Sequence, residues 1–150
     1  MKFLKKKKYI KIKLKKIIST HLQVKVKING VKGKFIVDTG ASNSCVGLNL
    51  KEYFKLSWEE SPVKAAGAGA VDLETQLSEN NQLKIGKWKI SKCKIILIDL
   101  IHINSALLQQ NAKEVHGIIG ADILELGKAF IDYNKKNLYL KKVNKKKLKN

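Results

Sequence analysis

The chain has 150 residues, 44% of them hydrophobic, which suits one compact domain and leaves too little material for two independent cores, so a large multidomain enzyme is excluded. All 31 basic residues are lysine, against 12 acidic residues, for a net charge of +19. Nine lysines fall in residues 1–16 and eight in 134–150 with no acid in either stretch, and residues 17–133 are nearly neutral; without arginine forks for guanine, base-specific nucleic-acid recognition is not expected.

Taken from the N-terminus, Tyr9-Ile10-Lys11-Ile12-Lys13-Leu14-Lys15 alternates apolar residues with lysine at period two, which predicts an edge strand with one wet face. The same alternation returns in Leu22–Ile28 and Val31–Val37. Asn29-Gly30 between these two runs predicts a hairpin with a two-residue turn. Its second arm leads directly into Asp38-Thr39-Gly40-Ala41-Ser42. Residues 51–60 read as weak helix or loop, with Tyr53, Phe54 and Trp58 as packing residues, before Pro62 breaks any helix.

Val63 to Leu77 reads as two short extended arms around Ala65-Ala66-Gly67-Ala68-Gly69-Ala70. A tip of such small residues can approach a ligand backbone closely. Leu83–Ile85, a Gly86-Lys87 turn, and the run from Trp88 to Ile98 predict another hairpin. Residues 102–115 are polar and are assigned to a loop. Gly117-Ile118-Ile119-Gly120 predicts a short buried strand, and Ala121–Leu126 a short helix stopped by Gly127. A last hairpin is expected from Ala129–Tyr133 and Asn137–Leu140 around Asn134-Lys135-Lys136. Many short strands and one short helix predict an all-β, barrel-like domain.

Asp38 stands at the end of the apolar run Phe35-Ile36-Val37, a sensible mount for a catalytic carboxylate. The small residue after Asp38-Thr39 lets the chain turn sharply and leaves the aspartate at a loop tip. The tripeptide alone also makes a plain Asx turn. Three segments in order narrow the choice: Phe35 to Ser42, the small-residue tip at Gly67 to Gly69, and Gly117-Ile118-Ile119-Gly120-Ala121-Asp122-Ile123-Leu124. Together these resemble a retropepsin-type aspartic protease over roughly residues 20–140, and the closing hairpin resembles that of bacterial relatives.

The resemblance implies an all-β, closed retropepsin-like barrel with a flap hairpin and one short C-terminal helix. It implies a lysine-rich N-terminal strand or tail over 1–16, the protease domain over 17–140, and a lysine-rich tail over 141–150. Asp38 is implied as the catalytic carboxylate and Thr39 as the residue that stiffens the active loops. Gly40 would offer its carbonyl to substrate. Ala41, Ser42 and Asn43 would contact the peptide, although viral members carry acids at the last two places. Gly67, Ala68 and Gly69 would form the flap, and Ile118 and Ile119 would shape pocket walls. Gly120 would pack behind Asp38, and Asp122 falls on a structural position.

The chemistry imposes a count: this route to peptide hydrolysis uses two carboxylates sharing one proton, and Asp-Thr-Gly occurs once. The expectation is therefore a homodimeric endopeptidase acting on a peptide or protein substrate. No metal or cofactor is expected, because His21, His102 and His116 are scattered and Cys45 and Cys93 lack ligand spacing. Cys45 reads as a small buried hydrophobe rather than a nucleophile. Trp58 and Trp88 read as core or interface packing. With no signal-peptide pattern and no long apolar window, a cytoplasmic setting is expected and a membrane role is not. The competing readings are a non-catalytic peptide-binding or dimerisation module with this fold, and polyanion binding through the lysine-rich ends.

Overall fold

The computed structural model describes residues 7–60, 65–67, 70–73 and 75–144. Strand β1 (Tyr9–Lys13) is followed by β2 (Lys15–Lys16), β3 (Leu22–Ile28) and β4 (Val31–Val37). Then come β5 (Cys45–Gly47), β6 (Glu59–Glu60), β7 (Ala65–Gly67), β8 (Ala70–Leu73), β9 (Gln76–Ile85) and β10 (Trp88–Ile98). Helix α1 (Ile101–Gln109), β11 (Gly117–Ile119), α2 (Ala121–Leu126), β12 (Phe130–Asp132) and β13 (Asn137–Lys141) complete the order.

The β3–β4 hairpin forms as its pattern predicts. Asn29 and Gly30 both take positive φ, 51° and 83°, the twist that a two-residue turn between right-handed strands requires. Leu22 pairs with Val37 and Ile28 with Val31, so the alternating apolar residues of both arms share one face. That face closes a six-stranded barrel: β3, β4, β11, β5, β10 and β9 pair in turn, and β9 returns to β3 through Lys27 with Lys84 and Ile28 with Leu83. Closure leaves these strands few open edges. Val24, Val26, Ile28, Phe35, Leu83, Ile85, Trp88, Ile95 and Leu97 fill the interior. Each such side chain stabilises the fold by roughly 1.5–3 kcal/mol relative to exposure.

β1 lies at the edge of a second sheet, paired along its length with β13, which in turn pairs with β12. Ile12 and Leu14 enter the main core from this side, so the lysine-rich N-terminal strand packs into the fold. Trp88 is anchored here by its indole N–H, which donates to the Lys141 carbonyl at 2.8 Å.

Two expectations need correction. Residues 102–115 are not all loop: α1 occupies Ile101–Gln109, giving two α-helices instead of one. Asp99 accepts the Ile101 N–H at 2.9 Å and starts it, and the Asn104 side chain bonds both backbone groups of Val115. Its periodicity is blurred because Ile101, Ile103 and Leu108 face outward while Leu107 packs with Ile36, Ala112 and Val115. Of the two readings of Trp58, core or interface packing, the structure removes the core: the ring is half exposed, with the Lys51 ammonium 4.1 Å from its centroid. Among the described residues no helix is long and apolar enough to cross a membrane.

Candidate active site

The site is built where two parallel strands end together. β4 and β11 pair in parallel, with Val37 beside Ile119, so Asp38 and Gly120 leave the sheet side by side. β11 pairs on its other side with β5, antiparallel, placing Ile118 opposite Cys45. The loop from Asp38 to Ser44 therefore leaves one neighbour of β11, arches over the end of that strand, and returns as its other neighbour.

Hydrogen bonds stitch this loop down from beneath. The Asp38 N–H donates to the Ile119 carbonyl at 2.9 Å, and the Ala121 N–H donates to the Ala41 carbonyl at 2.7 Å. The Gly120 N–H donates to Ser44 Oγ at 2.8 Å. Ser44 in turn donates its hydroxyl and its backbone N–H to the carboxylate of Asp122, which also accepts the Ile123 N–H at the start of α2. Gly120 is needed for this closeness: a Cβ there would stand 2.6 Å from the Ala41 carbonyl oxygen and 3.0 Å from the Asn43 backbone.

The upper side of the loop is open. Asp38, Thr39, Gly40, Ser42 and Asn43 are exposed and Ala41 is half-buried. The Asp38 carboxylate accepts the Gly40 N–H through Oδ1 at 2.9 Å, and its backbone carbonyl accepts the Ala41 N–H at 3.2 Å. The tight turn thus orients one carboxylate oxygen and leaves the other without a hydrogen-bond partner among the described residues. A groove of about 550 Å³ begins at Thr39 and is floored by Ala121, Leu124, Ala129 and Ile131.

Of the two expected wall residues, Ile119 is 0% exposed within the barrel core and contributes its carbonyl to Asp38 instead of a side chain to a pocket. Ile118 points the other way, into a cluster with Cys45, Ile96 and Leu100 against which Ala41 packs. Gly67 ends β7, which pairs antiparallel with β8 through Ala65 with Leu73 and Gly67 with Ala70. Ala68 and Gly69, the other two residues expected to form the flap, lie outside the described residues. Asp122 has the structural place expected of it. Ser44 was not singled out from sequence; a lone serine in a polar loop gives no periodic or motif signal, and only the return of β5 beside β11 brings it under Gly120.

Cys45 and Cys93 are buried, and burial pushes both thiols up to about 12, so neither is a ready nucleophile. Among the described residues no group of three His, Cys, Asp or Glu side chains is placed to hold a metal.

A sequence model of the aspartyl protease family matches residues 24–123, two thirds of the chain, a range that includes the Asp38–Ser44 loop, Gly120 and Asp122. No curated protein matches. Among solved structures, the retroviral protease-like domain of Ddi1 from Leishmania major superposes with a TM-score of 0.56 at 20% identity, covering 83% of this chain and 90% of that one. A retropepsin-like aspartic protease from Rickettsia conorii gives 0.55 at 19% identity, with 88% and 91% covered. The EIAV protease, solved in complex with the inhibitor HBY-793, gives 0.53 at 20% identity, with 70% and 86% covered. The retropepsin-like fold is common to all of them.

Proposed function

The chain belongs to the aspartyl protease family, and from that premise we propose that it is a homodimeric endopeptidase in which the Asp38 carboxylates of two copies activate water between them. The observation that supports this reading most directly is the exposure of Asp38 on a rigidly stitched loop tip. A carboxylate held this way can meet a second one without refolding the loop. One copy of Asp-Thr-Gly per chain demands the second chain.

Two carboxylates in contact cannot both ionise easily, so they hold one proton between them. The ionised member takes a proton from water as the oxygen attacks the peptide carbonyl, and the protonated member gives its proton to the carbonyl oxygen. Collapse of the tetrahedral species returns a proton to the leaving amine. Thr39 borders the groove lined by Leu124, Ile131, Glu125 and Lys128, a surface of mixed apolar and charged character beside the loop that must meet its twin. In this reading Gly40, Ala41, Ser42 and Asn43 contact the substrate backbone, and the β7–β8 hairpin that carries Gly67 serves as the flap, excluding water as it closes.

The test is hydrolysis of a mixed peptide library, with the mass of the assembly measured in parallel. Asp38→Asn removes the proton traffic and little volume, so turnover should fall by about a thousand-fold or more while the dimer persists. Undiminished turnover in this variant, or activity in a strictly monomeric protein, overturns the mechanism. A wild-type dimer that binds peptides without cleaving them identifies a non-catalytic module instead.

A further inference from the structure

A row of lysines crosses the outside of the barrel, away from Asp38. Strand register sets Lys32 opposite Lys27, Lys27 opposite Lys84, and Lys84 opposite Lys89, so β4, β3, β9 and β10 each contribute one. With strands about 4.8 Å apart, the row extends over about 14 Å. All four residues are exposed, and Lys25 opposite Lys34 adds a second pair beside the row.

Like charges directly opposed destabilise a sheet. Among the described residues no acidic side chain on this face relieves them: two open grooves of about 560 and 570 Å³ lie along it, share Lys27 and Lys84, and have no Asp or Glu in their walls. Among the described residues the one ion pair, Lys94 with Glu79, involves no member of the row. The near-neutral middle of the chain therefore conceals a segregation of charge that only the strand register reveals. Without a ligand such an arrangement carries a cost, and a polyanion would remove it.

We infer that this face is a binding track for the phosphodiester backbone of single-stranded nucleic acid, engaged without regard to base sequence. The charges run as a linear array along grooves, which suits a chain of phosphates. Tyr53, half exposed and stacked on His116 at 5.7 Å with 9° between the rings, stands in one groove as a flat surface for a base. The absence of arginine forks removes the usual means of reading guanine. A membrane surface fits less well, because of the large apolar side chains exposed among the described residues only Tyr53 lines either groove, and its hydroxyl is tied down by donating to the Lys32 carbonyl. Lys32 and Asp38 lie six residues apart on one extended run, about 20 Å, so the track and the proposed proteolytic site can be occupied together. The inference does not depend on Asp38 being catalytic.

The experiment titrates the full chain against a labelled oligodeoxythymidine by fluorescence anisotropy over a range of salt concentrations. Replacing the four row residues together, Lys27→Gln, Lys32→Gln, Lys84→Gln and Lys89→Gln, should weaken binding at least about ten-fold and flatten the log–log salt slope by about 3, at about 0.7 per phosphate contact. Lys145→Gln, Lys146→Gln, Lys147→Gln and Lys149→Gln together remove the same charge from the C-terminal end and should cost clearly less. The row variant should melt at or above the wild-type temperature, because opposed charges have been removed. If it does not fold, Lys27→Gln with Lys84→Gln should give about half the change in slope. An unchanged affinity and slope in the row variant, or an equal loss in the C-terminal variant, overturns the inference. So does tighter binding to phosphatidylserine vesicles or to oligoglutamate than to the oligonucleotide.

Discussion

Ser44 and Asp122, 78 residues apart in the chain, hold each other in place beneath the Asp38 loop: the serine hydroxyl donates to Asp122 Oδ1 at 2.7 Å, and its backbone N–H lies 3.0 Å from both carboxylate oxygens. The same hydroxyl accepts the Gly120 N–H. One side chain thus links the returning loop, the end of β11 and the start of α2. The candidate catalytic loop is braced by a carboxylate whose own partners are Ser44 and the Ile123 N–H.

Removing that brace should be costly. Asp122→Ala leaves the amide and hydroxyl of a residue only 2% exposed without their acceptor, a loss of about 3 kcal/mol. Urea unfolding should show the midpoint falling accordingly, with Asp122→Asn, which keeps an acceptor, losing less. An Asp122→Ala protein as stable as wild type would mean that the loop holds itself.

Gly120→Ala tests the close approach directly. The added methyl meets backbone atoms of Ala41 and Asn43, which cannot rotate away as a side-chain end could. The expected outcome is a loss of about 2–3 kcal/mol in denaturant unfolding. Peptide hydrolysis should fall together with stability, because the displaced segment carries Asp38.

Thiol chemistry should be silent in the folded protein. With both cysteines pushed up to about 12 by burial, the thiolate fraction at pH 8 is about one in ten thousand. Iodoacetamide should label neither Cys45 nor Cys93 until denaturant is added, with mass spectrometry as the readout. Rapid native labelling of Cys45 would reopen its assignment as a nucleophile.

His116 should make stability pH-dependent with a defined sign. Burial and then the positive charge of Lys34 lower its pKa from the ordinary 6.5, outweighing the Lys34 backbone contact that raises it. Its Nδ1 accepts the Lys34 N–H at 2.9 Å, so the folded state favours the neutral ring. Between the folded and unfolded values the unfolded chain binds more protons, so its contribution is full above about pH 6.5 and declines as the pH falls below that value. His116→Asn keeps an acceptor and does not titrate. The melting temperature of the wild type should therefore drop further than that of the variant on acidification, and parallel curves would contradict the assignment.

Local grammar made much of the fold legible. The period-two runs of β3 and β4, the Asn29-Gly30 turn, the Gly86-Lys87 turn and the Gly117–Ile119 strand are short-range features, and each forms where its residues indicate. Helix α1 was not legible because its apolar residues are divided between a buried side and an exposed one, leaving no clean stripe. Trp58, lying among apolar neighbours, reads from sequence as core or interface packing, and only the fold shows it half exposed beside Lys51.

By itself the amino-acid order determined the strands, the turns and the presence of a single aspartate at the end of an apolar run, because these depend on neighbours a few positions apart. Only the tertiary structure decided that Ser44 reaches Asp122, that Ile119 supports Asp38 through its carbonyl, and that Lys32, Lys27, Lys84 and Lys89 fall into one line. Those relations follow from how β4 and β5 flank β11 and how β9 closes onto β3. Strand pairing between distant segments is set by the packing of the whole barrel interior, and no local run of residues encodes it.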